Sequence, residues 1–158
     1  MLRPVERTSQ PPRVDPEQLE AFVVAWEHFA RAARRARGRA NQARTGSLTY
    51  AQYLLAERLL DEPAVSVCQL AEAAAVAQPT ATRMLAGLER DGVVSRHPDA
   101  EDRRIALIEL TAAGRALAQD KRAQIMAVRA QIFASIPEEQ RGQAAELLDR
   151  LAVAMERL

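Results

Sequence analysis

The stretch 65–111, VSVCQLAEAAAVAQPTATRMLAGLERDGVVSRHPDAEDRRIALIELT, puts a proline, a helical stripe, a glycine and two β-prone runs in a fixed order. Gln78–Pro79–Thr80 opens a helix, because proline suits the first helical position, where its missing N–H would have no partner. Ala81, Met84, Leu85 and Leu88 follow the spacing of one apolar stripe and are predicted to face a core. Opposite them stand Pro79, Thr82, Arg83, Ala86 and Arg90, small or cationic side chains suited to close approach to an anionic partner. Gly92 stops the helix where a left-handed residue is wanted. Val93–Val94–Ser95–Arg96–His97 reads as one strand and Ile105–Ala106–Leu107–Ile108–Glu109–Leu110 as its mate, with residues 98–104 as the loop between. Upstream, Ser66 and Gln69 form a capping box for a preceding short helix, with Val65 and Leu70 as its hydrophobic staple.

Helix, turn, helix and hairpin in this order make a winged helix-turn-helix, an arrangement that sets one helix in the DNA major groove. An apolar stripe backed by arginines also describes an ordinary solvated helix. The Asp102–Arg103–Arg104 loop that follows, set between short strands, favours the winged reading.

The flanks are helical. Residues 1–14 hold Pro4, Pro11 and Pro12 among polar residues and read as a flexible or extended arm. Residues 15–47 form a first helix and linker. Asp15 caps it, Pro16 takes the first position and Gln18 reaches back, while Leu19, Phe22, Val23, Trp26, Phe29, Ala30 and Ala33 carry its stripe. Arg31, Arg34, Arg35, Arg37, Arg39 and Arg44 follow with no acid between them, a run that fits phosphates and equally a solvated helix end. The winged lobe spans 48–111 and starts at a second capping box, Thr49 with Gln52, stapled by Leu48 and Tyr53. Residues 112–158 supply two more helices. Thr111 caps the first, whose stripe includes Leu117, Ile125, Val128 and Ile132. Ile136–Pro137–Glu138–Glu139 opens the second, with acids in the first turn. Its Leu148, Leu151, Met155 and Leu158 make a short seam suited to another helix, of the same or of a second subunit. With the first helix, these elements are expected to build a dimer interface from both ends of the chain. The fold class is therefore mainly α with a small β-hairpin wing, flanked by N- and C-terminal dimerisation helices.

Composition sets limits. The 158 residues fit one domain with extensions, and 48% apolar content supports a core although aromatics make up only 4%. The net charge of +1 predicts no polyanionic partner by itself, so a nucleic-acid surface has to arise from local segregation of charge. Lys121 is the only lysine, and so general a preference for arginine reflects genome composition as readily as function. One cysteine, Cys68, precludes an intrachain disulfide and fits a reducing compartment. No apolar run approaches the ~20 residues that span a bilayer, and MLRPVERTSQPPR lacks a signal core. A cytoplasmic protein with no membrane partner is expected.

Leu48–Thr49–Tyr50–Ala51–Gln52–Tyr53, Leu70–Ala71, Pro79–Thr80–Ala81–Thr82–Arg83, Leu88–Glu89–Arg90–Asp91–Gly92–Val93–Val94–Ser95–Arg96, Asp102–Arg103–Arg104 and Leu110–Thr111–Ala112–Ala113–Gly114 follow one another in the order and spacing of a known family. The chain resembles the MarR-type transcriptional regulators over residues 49–114 by motif, and beyond them by pattern. The resemblance implies a homodimeric repressor or activator, with repression the expected output, that binds a pseudo-palindromic operator in double-stranded DNA. Its recognition helix would enter the major groove and its wing the adjacent minor groove. Carried over by position, Gln78, Pro79, Thr80, Thr82 and Arg83 would face bases and phosphates. Arg104 matches the family's wing arginine and Asp102 the acid that orients it, while Arg103 and Arg96 would add backbone contacts. Many relatives have serine before the proline; this chain has Ala77–Gln78, so the base preference does not transfer.

The resemblance also implies a small aromatic or phenolic effector. Trp26, Phe29 and Tyr53, with Tyr50, are the sparse aromatics for such a site, although a core role is the better reading of them. Peroxide-sensing relatives carry a cysteine early in the first helix, which has none here; Cys68 is expected to be a small buried hydrophobe, with a redox role as the alternative. His28, His97 and Cys68 lie in three elements without ligand spacing, so no metal or other cofactor is expected. No Gly-rich phosphate loop and no G-x-S-x-G occurs, and two histidines leave little acid–base material, so an enzyme is not expected and no catalytic residue is assigned. A winged scaffold that binds protein instead of DNA remains the third class.

Overall fold

Capping and packing place the elements where the periodicity predicts them, with two exceptions in the sheet and near the C-terminus. The computed structural model describes residues 14–41 and 46–157. Most of the arm expected at 1–14, together with Arg44 and Leu158, lies outside the described residues.

Two units make up the chain, Met1–Ala40 and Asn41–Leu158. The first contains all but the last residue of helix α1 (Pro16–Asn41), opened by the Asp15 carboxylate, which accepts the Glu17 amide at 3.1 Å. Its predicted stripe is present, and Phe22 stacks on Trp26 with ring centroids 6.1 Å apart. Leu19, Phe22, Val23, Trp26 and Phe29 are all exposed, while Ala30, Ala33 and Ala36 are half-buried.

The second unit runs α2 (Tyr50–Asp61), β1 (Val65–Ser66), α3 (Val67–Ala73), α4 (Gln78–Arg90), β2 (Val94–Pro98), β3 (Ala106–Leu110), α5 (Ala112–Ala134), a 3-10 turn (Glu138–Gln140) and α6 (Arg141–Met155). Both predicted capping boxes close. The Gln52 backbone amide donates to the Thr49 hydroxyl and the Thr49 amide to Gln52 Oε1; Ser66 and Gln69 repeat the exchange before α3. Each box satisfies two helix-end amides that otherwise have no partner. Gly92 takes φ +71° after α4, as expected, and Ala75 takes φ +51° in the turn between α3 and α4. The latter is an unusual conformation for a residue with a Cβ.

Leu55, Leu59, Leu70, Ala81, Leu85 and Ile108 are fully buried in one core that joins α2, α3, α4 and β3. The sheet is antiparallel with order β1-β3-β2, so the expected two-stranded ribbon has a third strand. Val65 and Ser66 pair with Ile108 and Leu107. Two residues are too few to show alternation, and Ser66 also serves as the α3 cap, which hides its pairing role. In the hairpin, Val94 lies opposite Leu110 and Pro98 opposite Ala106. Proline is tolerated there because β2 is an edge strand.

Helix α5 is fastened to the lobe at its first turn. The Thr111 hydroxyl accepts the Gly114 amide at 2.9 Å and donates to the Gly92 carbonyl at 2.7 Å. A Cβ on Gly114 would stand 1.8 Å from the Val93 carbonyl oxygen, so only glycine fits this approach. One turn later the Arg115 guanidinium donates to the Leu59 and Leu60 carbonyls, closing the C-terminal end of α2. Ala118 and Lys121 are buried, but Met126, Val128, Ile132 and Phe133 further along are exposed. The last helix does not begin at Pro137. The Gln140 amide bonds the Pro137 carbonyl three residues back, giving a 3-10 turn, and α6 starts at Arg141. On α6, Leu147, Leu148, Val153 and Met155 are exposed.

Candidate nucleic-acid interface

Helix α4 divides its residues as the spacing requires. Ala81, Leu85 and Leu88 are buried and Met84 half-buried, which holds the helix down on the core. Gln78, Pro79, Thr80, Thr82, Arg83, Ala86 and Arg90 are exposed on the other side. No side chain caps the start of α4, where Ala77 precedes Gln78 and Pro79. Pro79 has no N–H and the Thr80 and Ala81 amides donate to the Ala77 carbonyl, so the start of α4 offers an anion its dipole and not a row of free amides. The Thr82 hydroxyl donates to the Gln78 carbonyl at 2.9 Å, so its proton is committed to its own helix. Thr82 is left with acceptor capacity and a methyl group. Arg83 carries no ion pair among the described residues.

The wing tip is a chain of backbone bonds closed by two aspartates. Asp99 Oδ1 accepts the amides of Glu101 and Asp102 at 2.8 and 2.9 Å, and these two bonds hold its carboxyl below the usual range. Asp102 Oδ1 accepts the Arg104 amide at 2.9 Å. The acid expected to orient Arg104 thus fixes its main chain. The Ile105 amide returns to the Asp102 carbonyl, and the Asp99 amide to the Ile105 carbonyl, both at 2.9 Å. Asp99, to which the sequence reading gives no role, is the residue that shapes this turn; its place in Pro98–Asp99–Ala100–Glu101–Asp102, a run favouring local side chain-to-backbone bonds, is the signal that marks it.

Arg103 and Arg104 are exposed at this tip, and with Arg96, His97, Pro98, Ile105 and Ala106 they line a shallow depression of about 250 Å³. Arg96 is partly occupied: its Nε lies 3.6 Å from Glu89 at the end of α4. His97 lies 3.3 Å from Glu109 on the adjacent strand. The structure brings the wing residues Arg96, Asp102, Arg103 and Arg104 onto one hairpin, and Gln78, Pro79, Thr80, Thr82 and Arg83 onto one helix directly before it.

The residues named for a small ligand have separate settings. Tyr53 belongs to the core at 1% exposure, its hydroxyl donating to Glu57 at 2.8 Å. Burial first, and that bond second, push its pKa up to about 12. Trp26 and Phe29 lie on the exposed face of α1. Cys68 corrects its expectation, since it is exposed. It is the second residue of α3, and the inward positions there are taken by Val65, Leu70 and Ala71. Among the described residues no His, Cys, Asp or Glu cluster could hold a metal ion, and no helix is long and apolar enough to cross a membrane.

Residues 48–106 match the model of the MarR family. The homoprotocatechuate degradative operon repressor of Escherichia coli is 33% identical over 103 residues, which cover 65% of this chain and 70% of that repressor. The chain belongs to the MarR family. Among solved structures, Streptococcus pneumoniae FabT in complex with DNA superposes with a TM-score of 0.71 at 20% identity, over 90% of this chain and 99% of FabT. Bordetella bronchiseptica BpsR, whose DNA binding is regulated by 6-hydroxynicotinic acid, gives 0.67 at 25% identity, over 81% and 98%. This MarR protein is a DNA-binding transcriptional regulator with a winged-helix fold, and the family and fold are those of regulators, not of enzymes.

Proposed function

We propose that this regulator binds a pseudo-palindromic operator as a homodimer and represses transcription. In each half-site α4 lies in the major groove and the β2–β3 wing in the neighbouring minor groove. The observation that carries this reading is the sided α4: its apolar face is sealed on the core while Gln78, Pro79, Thr80, Thr82 and Arg83 are exposed. A guanidinium meets guanine O6 and N7 with two parallel bonds, so Arg83 reads a base. Arg104 and Arg103, held by the aspartate-closed turn, enter the minor groove, where narrowing deepens the negative potential. Two recognition helices one duplex turn apart require half-sites about 10 bp centre to centre. Exposed apolar side chains on α1, on the second half of α5 and on α6 support a second copy as their cover.

Selection of bound genomic fragments tests the reading. Arg83→Ala should cost about 1–3 kcal/mol and relax preference at one position per half-site. Arg104→Ala should weaken all sites alike and flatten the salt dependence. An unchanged operator logo with Arg83→Ala removes Arg83 from base reading; a wild-type protein that ignores duplex DNA in dilute buffer removes the proposal.

A small aromatic acid is the effector class we assign, supported by the control of BpsR by 6-hydroxynicotinic acid and by a relative named for homoprotocatechuate degradation. Such a ligand acts only through unequal affinity for the DNA-competent and DNA-incompetent arrangements. Trp26 and Phe29 are its candidate contacts on α1. Trp26 is the only tryptophan, so quenching of intrinsic fluorescence on titration with aromatic acids, parallel to operator release, checks the assignment.

A further inference from the structure

The lobe that holds α4 and the wing is acidic: residues 48–111 contain six arginines against ten Asp and Glu, a formal charge of −4. The lobe's net charge therefore adds no long-range attraction for DNA beyond what its local arginines supply. Residues 28–47 contain six arginines and no acid. Five of them, Arg31, Arg34, Arg35, Arg37 and Arg39, lie on the second half of α1 and all are exposed. Arg31 pairs with Glu27 at 3.2 Å across two solvent-exposed side chains, a weak surface bridge. Arg34, Arg35, Arg37 and Arg39 have no ion pair among the described residues.

Helical spacing arranges these cations. Ala30, Ala33 and Ala36 are the half-buried positions of this half of α1. Arg31, Arg35 and Arg39, at i, i+4 and i+8, share the opposite side. Like charges at that spacing repel and destabilise a helix. The helix dipole favours Arg39 in the last turn, but its effect fades within one turn and does not reach Arg31 or Arg35. An outward cationic row, offset only at Arg31 by the weak exposed bridge to Glu27, is suited to an external polyanion. It extends about 12 Å, the axial rise of three to four phosphates on one DNA strand at roughly 3.4 Å each.

We propose that the Arg31–Arg35–Arg39 face of α1 is a second DNA-binding element, which grips the phosphate backbone without reading bases and supplies attraction that the lobe's net charge does not. This rests on the operator-binding reading above. Affinity and specificity are then divided between elements: α4 and the wing choose the site, and α1 sets the electrostatic hold on any duplex.

The test compares the full-length wild type with R31Q/R35Q/R39Q and R31K/R35K/R39K. Each is titrated by fluorescence anisotropy on an operator duplex selected by the wild type and on a random duplex of equal length, over a range of salt. Glutamine and lysine both keep good helix propensity. The glutamine variant should bind both duplexes more weakly, with the log–log salt slope reduced by about 0.9 for each phosphate no longer neutralised. Its selected sequence logo should be unchanged, and lysine should restore most of the slope. A slope equal to wild type overturns the proposal. So does a weakened glutamine variant whose light-scattering mass has dropped, because the loss then comes through assembly. So does an altered logo. Failure of the wild type to bind either duplex would instead remove the operator reading itself.

Discussion

Leu85 and Leu148 are both leucines on helices of similar length, yet the first is fully buried and the second is 57% exposed. The same contrast holds between whole regions. In the winged lobe, Leu55, Leu59, Leu70 and Ile108 are closed off from water, with capping boxes at two helix starts and Arg115 at the end of α2. On α1, the distal half of α5 and α6, Phe22, Phe29, Ile132, Phe133, Leu147 and Met155 remain open to solvent. The lobe completes its own core, whereas the terminal helices carry apolar faces that the described residues of one copy leave exposed. Burial in the lobe is thus intramolecular.

Glycines separate the two regions most sharply. Gly114→Ala forces a methyl group into the Val93 carbonyl and should cost about 3 kcal/mol or more, lowering Tm by on the order of 10 °C. Gly142→Ala in α6 meets open space and should be neutral or stabilising by up to about 1 kcal/mol. Equal thermal shifts for the two variants would break the comparison. The leucine pair sharpens it. Leu85→Ala should cost about 2–5 kcal/mol at any protein concentration. Leu148→Ala should act through assembly, with a Tm deficit that grows as the protein is diluted. Thermal scans at two concentrations separate these outcomes.

A proton linkage inside the lobe acts only at high pH. Tyr53 ionises near pH 12 in the folded protein because burial disfavours the phenolate, and near pH 10 when unfolded. The stabilisation it confers is complete below about pH 10 and declines as pH rises toward 12. Denaturant titrations across that window should show the decline in the wild type and a shallower one in Tyr53→Phe.

The parts of the molecule that are readable from sequence are those fixed by local chemistry. Thr49–Gln52, Ser66–Gln69, Thr111 and Gly92 mark helix ends through bonds made within a few residues, and the α4 stripe reports its own buried side. What escapes reading depends on distant partners. Val65–Ser66 becomes a strand because β3 lies beside it, and Cys68 is exposed because neighbouring residues take the inward positions. The α4 and wing residues are legible as a set. The bond from the Arg104 amide to Asp102, and the role of Asp99, depend on the turn that only the folded chain displays.

The junction at Thr111 and Gly114 has a mechanical consequence. With the Thr111 hydroxyl bonded to Gly92 and Gly114 lying against Val93, the root of the hairpin and the first turn of α5 move as one piece. Five-residue strands carry the tip about 17 Å from that root. Tilting this piece by about ten degrees swings the arginine-bearing tip through roughly 3 Å over that length, enough to withdraw a guanidinium from hydrogen-bonding range. Whatever tilts the base of α5 therefore works a lever, and its far end is the wing.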